Sequence, residues 1–315
     1  MEKQKIAVID LGTNTFHLLI VSTDSCQRFH LLHRERKAVM IGRGGINQGM
    51  INEDAQLRAL AAIQHFKDMI DQYKVDHVVA TATSAFRNAK NGVALAKRVY
   101  DETGITIDII PGDIEADYIY YGVKEAMSLK KENALIMDIG GGSVEFIICD
   151  QEQVLWKQSY EIGAQRLLEM FPIADPISEE NTQQLLQYFE KELQSLTEAI
   201  EKYHPRTLIG ASGTFDTLSD IYVIDESIAV APDASELPLD YDHYLKTHRA
   251  LSEKNHEERM RIPGMIELRA DMIVVASWLI YFVLDKYHIR NIRVSAYALK
   301  EGLLRSVSNQ LIANQ

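Results

Sequence analysis

The stretch IAVIDLGTNTFHLLI, from Ile6 to Ile20, reads as a buried strand, a tight turn and a second strand. A closely related stretch, ALIMDIGGGSVEFII, begins at Ala134. When the two are aligned, the matching positions are Asp10 and Asp138, Gly12 and Gly140, Thr15 and Ser143, and His17 and Glu145. The chain therefore contains an internal duplication, which predicts two halves that each begin with the same hairpin.

Each copy ends its first strand in an Asp and continues with glycine and small hydroxyl or amide residues. Glycine lets a ligand approach the backbone closely, and successive N–H groups in such a turn bind anionic oxygens. An Asp at the strand end can hold a hydrated divalent cation. Two such hairpins that face each other would form a cleft suited to phosphate and a cation. In the alternative interpretation, Asp10 and Asp138 only stabilise their turns.

The length of 315 residues is sufficient for two domains of ordinary size. Strand patterns alternate with helical patterns along the chain, which is typical of an α/β protein. We predict an N-terminal domain over residues 1–126 and a C-terminal domain over residues 127–315. The last predicted helix, around Leu299 to Ile312, is a candidate to pack back on the first domain.

Composition and charge exclude several classes of protein. The formal net charge is −12, and no long run of Lys and Arg could follow a nucleic-acid backbone. The first residues lack the apolar stretch of a secretory signal, and the segment Met272 to Leu284 is too short to span a bilayer. Cys26 and Cys149 lack metal-ligand spacing, which disfavours zinc and disulfides. We therefore expect a cytoplasmic enzyme without a nucleic-acid or membrane partner.

Local signals predict where several helices begin. Asp113 and Ser178 are predicted N-caps, and the helix after Ser178 is predicted to continue to about Tyr203. A cap at Asp113 places Glu115 in the first turn of its helix, where the helix dipole favours an ionised carboxylate. A third glycine-rich turn, at Gly210 to Thr214, follows another predicted strand and opens a helix.

Six short motifs follow one another along the chain. They are D-L-G-T-N-T at Asp10, T-S-A-F-R-N-A at Thr83, I-P-G-D-I-E-A at Ile110, D-I-G-G-G-S-V-E at Asp138, G-A-Q-R-L at Gly163 and V-S-A-Y-A-L-K-E-G-L-L at Val294. In this order they resemble the motifs of the exopolyphosphatase and guanosine pentaphosphate phosphohydrolase (Ppx/GppA) family. The resemblance covers essentially the whole chain, which looks like the short form without the C-terminal helical domain of longer members. It implies two actin-like (ribonuclease H-like) domains with a duplicated strand-loop-strand phosphate-binding motif and an interdomain cleft.

The resemblance also implies roles for individual residues. The family's catalytic base falls on Glu115. Its metal ligands fall on Asp138 and Glu145, with Asp10 across the cleft as a further candidate, and they imply Mg²⁺ or another divalent cation. The implied substrate-binding residues are Gly12, Thr13, Asn14, Thr15, Arg87, Gly140, Gly141, Gly142 and Ser143. A homodimer is implied on the same basis.

The chain departs from the family's pattern at a few positions. His17 stands where the first hairpin usually carries Arg, and Lys300 stands where the late motif carries Arg. Loss of a fork-shaped donor at position 17 would alter affinity or chain-length preference. A structural role is the alternative for Glu115, as a first-turn acid, and for Arg87, as a surface ion pair. Substrate contact and a structural network are both open for Arg166, Arg269, Lys300 and Glu301.

The predicted activity is release of terminal orthophosphate from inorganic polyphosphate by metal-assisted attack of water. The same residues would serve removal of the 5′-phosphate from guanosine pentaphosphate. An ATP-dependent kinase of the same fold is a broader alternative, and a non-catalytic phosphate or alarmone sensor is an alternative from another class. Polyphosphate and guanosine pentaphosphate are therefore the two predicted substrates.

Overall fold

The first half of the chain forms a five-stranded mixed sheet. The computed structural model describes residues 4–24 and 28–313. The strands of the first sheet are β1 (Lys5–Leu11), β2 (Thr15–Thr23), β3 (Phe29–Ala38), β4 (His77–Ala82) and β5 (Ile107–Ile109). Their spatial order is β3-β2-β1-β4-β5, with β2 antiparallel and β4 parallel to β1. The predicted first hairpin is thus the centre of this sheet.

The second half repeats this arrangement. Its strands are β6 (Ala134–Ile139), β7 (Val144–Cys149), β8 (Val154–Tyr160), β9 (Thr207–Ala211), β10 (Glu236–Leu237) and β11 (Asn291–Ser295). Their order is β10-β11-β9-β6-β7-β8, so β8-β7-β6-β9-β11 matches β3-β2-β1-β4-β5 strand for strand. This duplicated order is that of two actin-like (ribonuclease H-like) halves. The predicted α/β fold with a duplicated strand-loop-strand motif is confirmed.

Helices cover the faces of both sheets. They are α1 (Glu53–Tyr73), α2 (Ser84–Asn88), α3 (Gly92–Thr103), α4 (Gly112–Ala126), α5 (Ala164–Met170), α6 (Glu179–Glu192), α7 (Gln194–Tyr203), α8 (Gly213–Asp225), α9 (Tyr241–Glu253), α10 (His256–Met260), α11 (Met272–Lys286) and α12 (Leu299–Ala313), with a short 3₁₀ turn at Ile46–Gln48. In α1 the buried residues Ile63, Phe66 and Ile70 recur at helical spacing and face the first core. Apolar periodicity thus decides which face of the helix is buried.

The apolar segment that includes Met272 is α11, and most of its residues are buried in the second core. None of the helices within residues 4–24 and 28–313 has both the length and the hydropathy that a bilayer span requires. Cys149 is a free, buried thiol, whereas Cys26 lies outside the described residues.

Two helices cross between the halves. Ile119 and Val123 of α4 belong to the core formed with the second sheet, whereas Leu303 of α12 packs with Ile6 and Val8 of β1. Glycine lets the two helices touch backbone to backbone, because a Cβ at Gly302 would lie 1.7 Å from the carbonyl oxygen of Tyr118. The boundary between residues 126 and 127 stays a prediction, because α4 precedes it in sequence but packs against the second sheet.

Two predicted helix boundaries need correction. Asp113 is not an N-cap, because α4 begins at Gly112 and places Asp113 inside the first turn; Glu115 lies in that turn as predicted. Ser178 does cap its helix, since its hydroxyl accepts a hydrogen bond from the backbone N–H of Asn181. The single helix predicted after Ser178 is two helices, because the buried Leu193 leaves helical dihedral angles (φ −100°, ψ 23°).

A buried histidine makes the stability of the second half depend on pH. His248 of α9 stacks on Tyr281 with ring centroids 4.8 Å apart, and its Nδ1 lies 2.8 Å from the hydroxyl of Ser277. Burial, with a smaller contribution from Arg249, lowers the pKa of His248 from 6.5 to about 4. As the pH falls, His248 is therefore protonated at a higher pH in the unfolded chain than in the folded chain. The stability that is present above pH 6.5 is lost as the pH falls toward 4.

We expect the substitution His248→Gln to make the stability of the protein less dependent on pH. In wild type, this group should lower the free energy of unfolding by about 2 kcal/mol between pH 7 and about pH 5. Urea unfolding of both proteins at the two pH values measures the effect. The variant should be less stable at pH 7 but lose less on acidification, and an equal loss in both proteins would contradict this account.

Candidate active site

The two glycine turns touch each other at the centre of the molecule. A Cβ built on Gly141 would lie 2.5 Å from Nδ2 of Asn14. One built on Gly142 would lie 2.6 Å from Oγ1 of Thr13. Since real Cβ atoms do not approach this closely, only glycine allows the tips of the two hairpins to meet. Side chains and backbone from both halves of the duplication therefore share one cleft.

Backbone hydrogen bonds from the start of α5 support the second glycine turn, Gly140 to Ser143. The carbonyl oxygens of Gly140, Gly141 and Gly142 accept hydrogen bonds from the backbone N–H groups of Ala164, Gln165 and Gly163, at 3.0, 2.9 and 3.2 Å respectively. In a trans peptide the N–H points opposite to the preceding C=O. The N–H groups that follow these carbonyls consequently point away from α5, which is the orientation that an anion-binding turn needs.

Backbone hydrogen bonds from the loop after β3 support the first glycine turn, Gly12 to Thr15, in the same way. The carbonyl of Thr13 accepts a bond from Gly42 N–H at 3.2 Å, and that of Asn14 accepts bonds from Val39 and Met40 N–H at 3.0 and 2.9 Å. The N–H groups of Asn14 and Thr15 therefore point away from this loop. The duplicated turns share this property although different segments support them.

A cleft of about 180 Å³ lies between the halves. Its lining contains all of the predicted site residues except Arg87: Asp10, Gly12, Thr13, Asn14, Thr15, Glu115, Asp138, Gly140, Gly141, Gly142, Ser143 and Glu145. It also contains residues that were not assigned a role, among them His17, Arg36, Ser212, Asp216, Arg269 and Lys300. The structure thus brings the predicted set together, and their roles stay predictions.

Four carboxylates face this cleft: Glu115, Asp138 and Glu145 are buried, and Asp10 is half-buried. Burial raises the pKa of Glu115 to about 8, that of Asp10 to about 7 and that of Asp138 to about 6, and it also raises the pKa of Glu145. Their mutual repulsion adds to the effect, since Asp138 raises the pKa of each of the other three. A cluster of this kind is favourable only when positive charge is supplied nearby.

The cleft carboxylates suit a divalent cation, because Mg²⁺ prefers carboxylate oxygens and retains several water ligands. Among the described residues, however, Asp10, Asp138 and Glu145 do not bring their oxygens within 4.8 Å of one another. Water-mediated contacts are consistent with this spacing. A tighter group, Asp225, Glu226 and His243, lies outside the cleft, and the Nζ of Lys246 already contacts Asp225 at 2.6 Å.

Arg87 lies behind the cleft and contacts the predicted base. Its Nη1 donates a hydrogen bond to Glu115 at 2.8 Å, and its Nη2 donates to Glu161 at 3.2 Å. Glu161 also accepts bonds from the hydroxyl of Ser84 at 2.6 Å and from Nη2 of Arg166 at 2.9 Å. Because Ser84 and Arg87 come from the first half and Glu161 and Arg166 from the second, this network joins the halves beside Glu115.

Sequence reasoning missed part of this network. Ser84 lies inside the motif that begins at Thr83, so the motif itself was the available signal. Glu161 lies two residues before Gly163 and carries no comparable signal, because its partners come from distant parts of the chain. Arg166, left open from the sequence, donates Nε to the carbonyl of Gly142 at 3.0 Å, so it supports the second turn.

Gly142→Ala is expected to lower kcat/KM at least tenfold while leaving the fold intact, because the new methyl group would collide with side chains of the other half. It would lie 2.5 Å from Oγ of Ser84 and 2.6 Å from Oγ1 of Thr13. The matched control is Gly140→Ala, whose methyl group would meet only the carbonyl of Ser143 at 3.1 Å. Phosphate-release kinetics and the melting temperature test this. Equal effects of both substitutions on kcat/KM would contradict the close contact.

The fold and the cleft define an α/β protein of two actin-like halves whose duplicated turns meet at an acidic site. The chain belongs to the Ppx/GppA phosphatase family, whose model matches residues 19–310. The family match confirms the prediction that the chain is a phosphoanhydride hydrolase of this family.

Individual relatives agree with this assignment. The crystal structure of an exopolyphosphatase from Cytophaga hutchinsonii is 43% identical, with a TM-score of 0.94 and 98% of each chain covered. The Ppx/GppA family member from Aquifex aeolicus is 26% identical, with a TM-score of 0.79 and 100% of each chain covered. A Haemophilus influenzae protein, assigned by name as an exopolyphosphatase, is 27% identical over 96% of this chain and 91% of its own length.

Proposed function

We propose that this protein is an exopolyphosphatase, which releases terminal orthophosphate from inorganic polyphosphate with Mg²⁺ or another divalent cation. The observation that carries the proposal is the contact between two anion-binding turns beside four carboxylates, three of which are buried. Hydrolysis of a phosphoanhydride requires the phosphoryl charge to be neutralised and a water to be aligned opposite the leaving oxygen. One wall of the cleft would bind the phosphoryl group, and a carboxylate would activate the water.

The residues have distinct proposed roles. The N–H groups of the two turns bind the terminal phosphate, and Glu115 accepts the proton of the attacking water. Asp138 and Glu145, with Asp10 opposite, hold the cation. When bound, the cation neutralises charge on the phosphoryl oxygens.

The role that we propose for Arg87 differs from the role that the sequence predicts. The sequence predicts a phosphate-contacting arginine, but its guanidinium contacts Glu115 and Glu161 and lies outside the cleft lining. We therefore assign Arg87 the positioning of Glu115. Its Nη1 contacts Glu115 while its Nη2 is held by Glu161, so Arg87 fixes the carboxylate of Glu115 and favours its ionised form, as the opposing effect of Arg87 on the pKa of Glu115 indicates.

The names of the relatives favour polyphosphate over guanosine pentaphosphate, because the proteins from Cytophaga hutchinsonii and Haemophilus influenzae are both named as exopolyphosphatases. Guanosine pentaphosphate stays the second candidate, because its 5′-phosphate chain could enter the same turns.

Turnover on a panel of substrates tests the proposal. The purified protein would be incubated with Mg²⁺ and polyphosphate, guanosine pentaphosphate, or ATP plus sugar acceptors. We expect orthophosphate release from polyphosphate without ADP. Release from guanosine pentaphosphate alone would select the second candidate, and ADP formation would indicate a kinase. Tight binding of polyphosphate without turnover would indicate a sensor.

We also propose a homodimer, which rests on the family resemblance. Light scattering coupled to gel filtration measures the mass in solution. A mass near 35.7 kDa, that of one chain, would contradict it.

A further inference from the structure

The two walls of the cleft differ in charge at equivalent positions of the duplication. Across the first sheet, Asp10 of β1 pairs with His17 of β2, which pairs with Arg36 of β3. The matching row of the second sheet is Asp138, Glu145 and Ser159. The second row therefore ends in a carboxylate and a hydroxyl, whereas the first ends in a guanidinium. The duplication has therefore diverged, and we give the name basic wall to the cations Arg36, Arg269 and Lys300 of the cleft lining together with Arg34 of β3.

Two arginines of the basic wall keep their hydrogen-bonding groups available. Arg36 and Arg269 both line the cleft, and neither side chain makes a hydrogen bond or an ion pair with any residue in the described part of the chain. Arg269 is half-buried against Gly213, where a Cβ would lie 2.1 Å from its Nη2. Each guanidinium has five N–H donors in a planar fork, which matches phosphate oxygens.

The basic wall continues out of the cleft along β3. Arg34 lies two residues before Arg36, on the same face of the strand, and its side chain is 54% exposed. Lys300 also lines the cleft, and both Lys300 and Arg34 approach Glu301, at 3.2 and 3.9 Å respectively. The cations thus form a track from the interior of the cleft to the surface of the first sheet.

The electrostatic environment of His17 agrees with this arrangement. Burial lowers the pKa of His17 to about 3, and Lys300, Arg36, Arg269 and Arg34 each add to the effect. Three carboxylates, Asp216, Asp220 and Glu301, lie near these cations and offset part of the positive charge.

We propose that the basic wall is the binding track for the polymer: once the terminal phosphate lies between the glycine turns, phosphates beyond the third of the chain contact Arg36 and then Arg34. A linear polyanion with charge on every unit is the ligand that a row of cations selects. This inference rests on the proposed function and deepens it, because it predicts that affinity increases with chain length until the track is filled.

The opposite face of β3 supplies a matched control. Lys37 follows Arg36 directly but points to the other side of the sheet, where its Nζ contacts Glu35 at 2.8 Å. Glu35 in turn contacts His65 of α1. Replacing Lys37 removes the same charge from the same strand without changing the cleft wall.

The kinetic test compares Arg36→Ala and Lys37→Ala on long-chain polyphosphate and on tripolyphosphate. For Arg36→Ala we expect kcat/KM on the long chain to fall about tenfold, through KM, with less than about a threefold change on tripolyphosphate. In a plot of log(kcat/KM) against the logarithm of the salt concentration, the slope for Arg36→Ala should be shallower than that of wild type by about one unit, which corresponds to the loss of one phosphate contact. Lys37→Ala should leave the ratio between the two substrates unchanged.

A binding measurement separates this inference from the proposed function. Glu115→Gln and the double variant Glu115→Gln, Arg36→Ala would be titrated with long-chain polyphosphate in calorimetry. Weaker binding of the double variant supports the track even if wild type shows no turnover. If wild type hydrolyses polyphosphate but Arg36→Ala changes neither the length dependence nor the affinity, the track is wrong and the hydrolase stands. Equal effects of Arg36→Ala and Lys37→Ala would also overturn it, since they would reflect net charge alone.

Discussion

Glu115→Gln is expected to lower kcat on polyphosphate about a thousandfold while leaving binding nearly unchanged, because the amide cannot accept the proton of the attacking water. The carboxylate is buried at the cleft and is held by Arg87 at 2.8 Å. Its pKa, raised to about 8 by burial, makes it a stronger base than an exposed glutamate. Steady-state phosphate release gives kcat, and calorimetry with polyphosphate gives the affinity.

The control for this experiment is Asp113→Asn. Asp113 lies in the same first turn of α4 but is exposed. It shares the helix dipole with Glu115 without facing the cleft, so its replacement should change kcat less than about twofold. A comparable loss in both variants would mean that the effect comes from the helix terminus, and Glu115 would then be only a first-turn acid.

Mg²⁺ is expected to raise the melting temperature of the wild-type protein by about 5 °C at a concentration of about 100 times its Kd. The shift should nearly disappear in Asp138→Asn and in Glu145→Gln, because each removes a carboxylate that would hold the ion. Both variants should also lose most of their turnover. Scanning calorimetry with and without Mg²⁺ measures the shift independently of activity.

A control outside the cleft distinguishes the two possible sites. Asp225→Asn alters the surface group with Glu226 and His243, so the Mg²⁺ shift should survive in this variant. If the shift instead survives in Asp138→Asn and disappears in Asp225→Asn, the ion binds at the surface group. The cleft carboxylates would then need another source of positive charge, such as Lys300.

The duplicated hairpins could be predicted because they are local patterns. The alternation of apolar residues, the terminal Asp and the glycine turn all lie within about 15 residues of one another, and both copies formed the central strands of their sheets. The family motifs also predicted Glu115 and the other site residues, and all of these except Arg87 line one cleft. The fold class therefore followed from the sequence.

The residues that surround the site depend on distant pairings. Arg36 was not identified, because its place in the cleft depends on the register between β2 and β3 and on which face of β3 looks inward. Glu161 was missed for a similar reason, since it contacts Ser84 from a position 77 residues away. The partner of Arg87 could not be read from its motif, because Glu115 reaches it from another helix.

The central claim is that the two turns and the cleft carboxylates form one hydrolytic site, and chain-end analysis of polyphosphate tests it most directly. The purified protein would be incubated with polyphosphate in Mg²⁺ and, separately, in excess EDTA, and the products would be resolved by length. We predict orthophosphate and progressively shorter chains in Mg²⁺, and intact polymer in EDTA. Intact polymer in both conditions, despite measurable binding, would contradict the account.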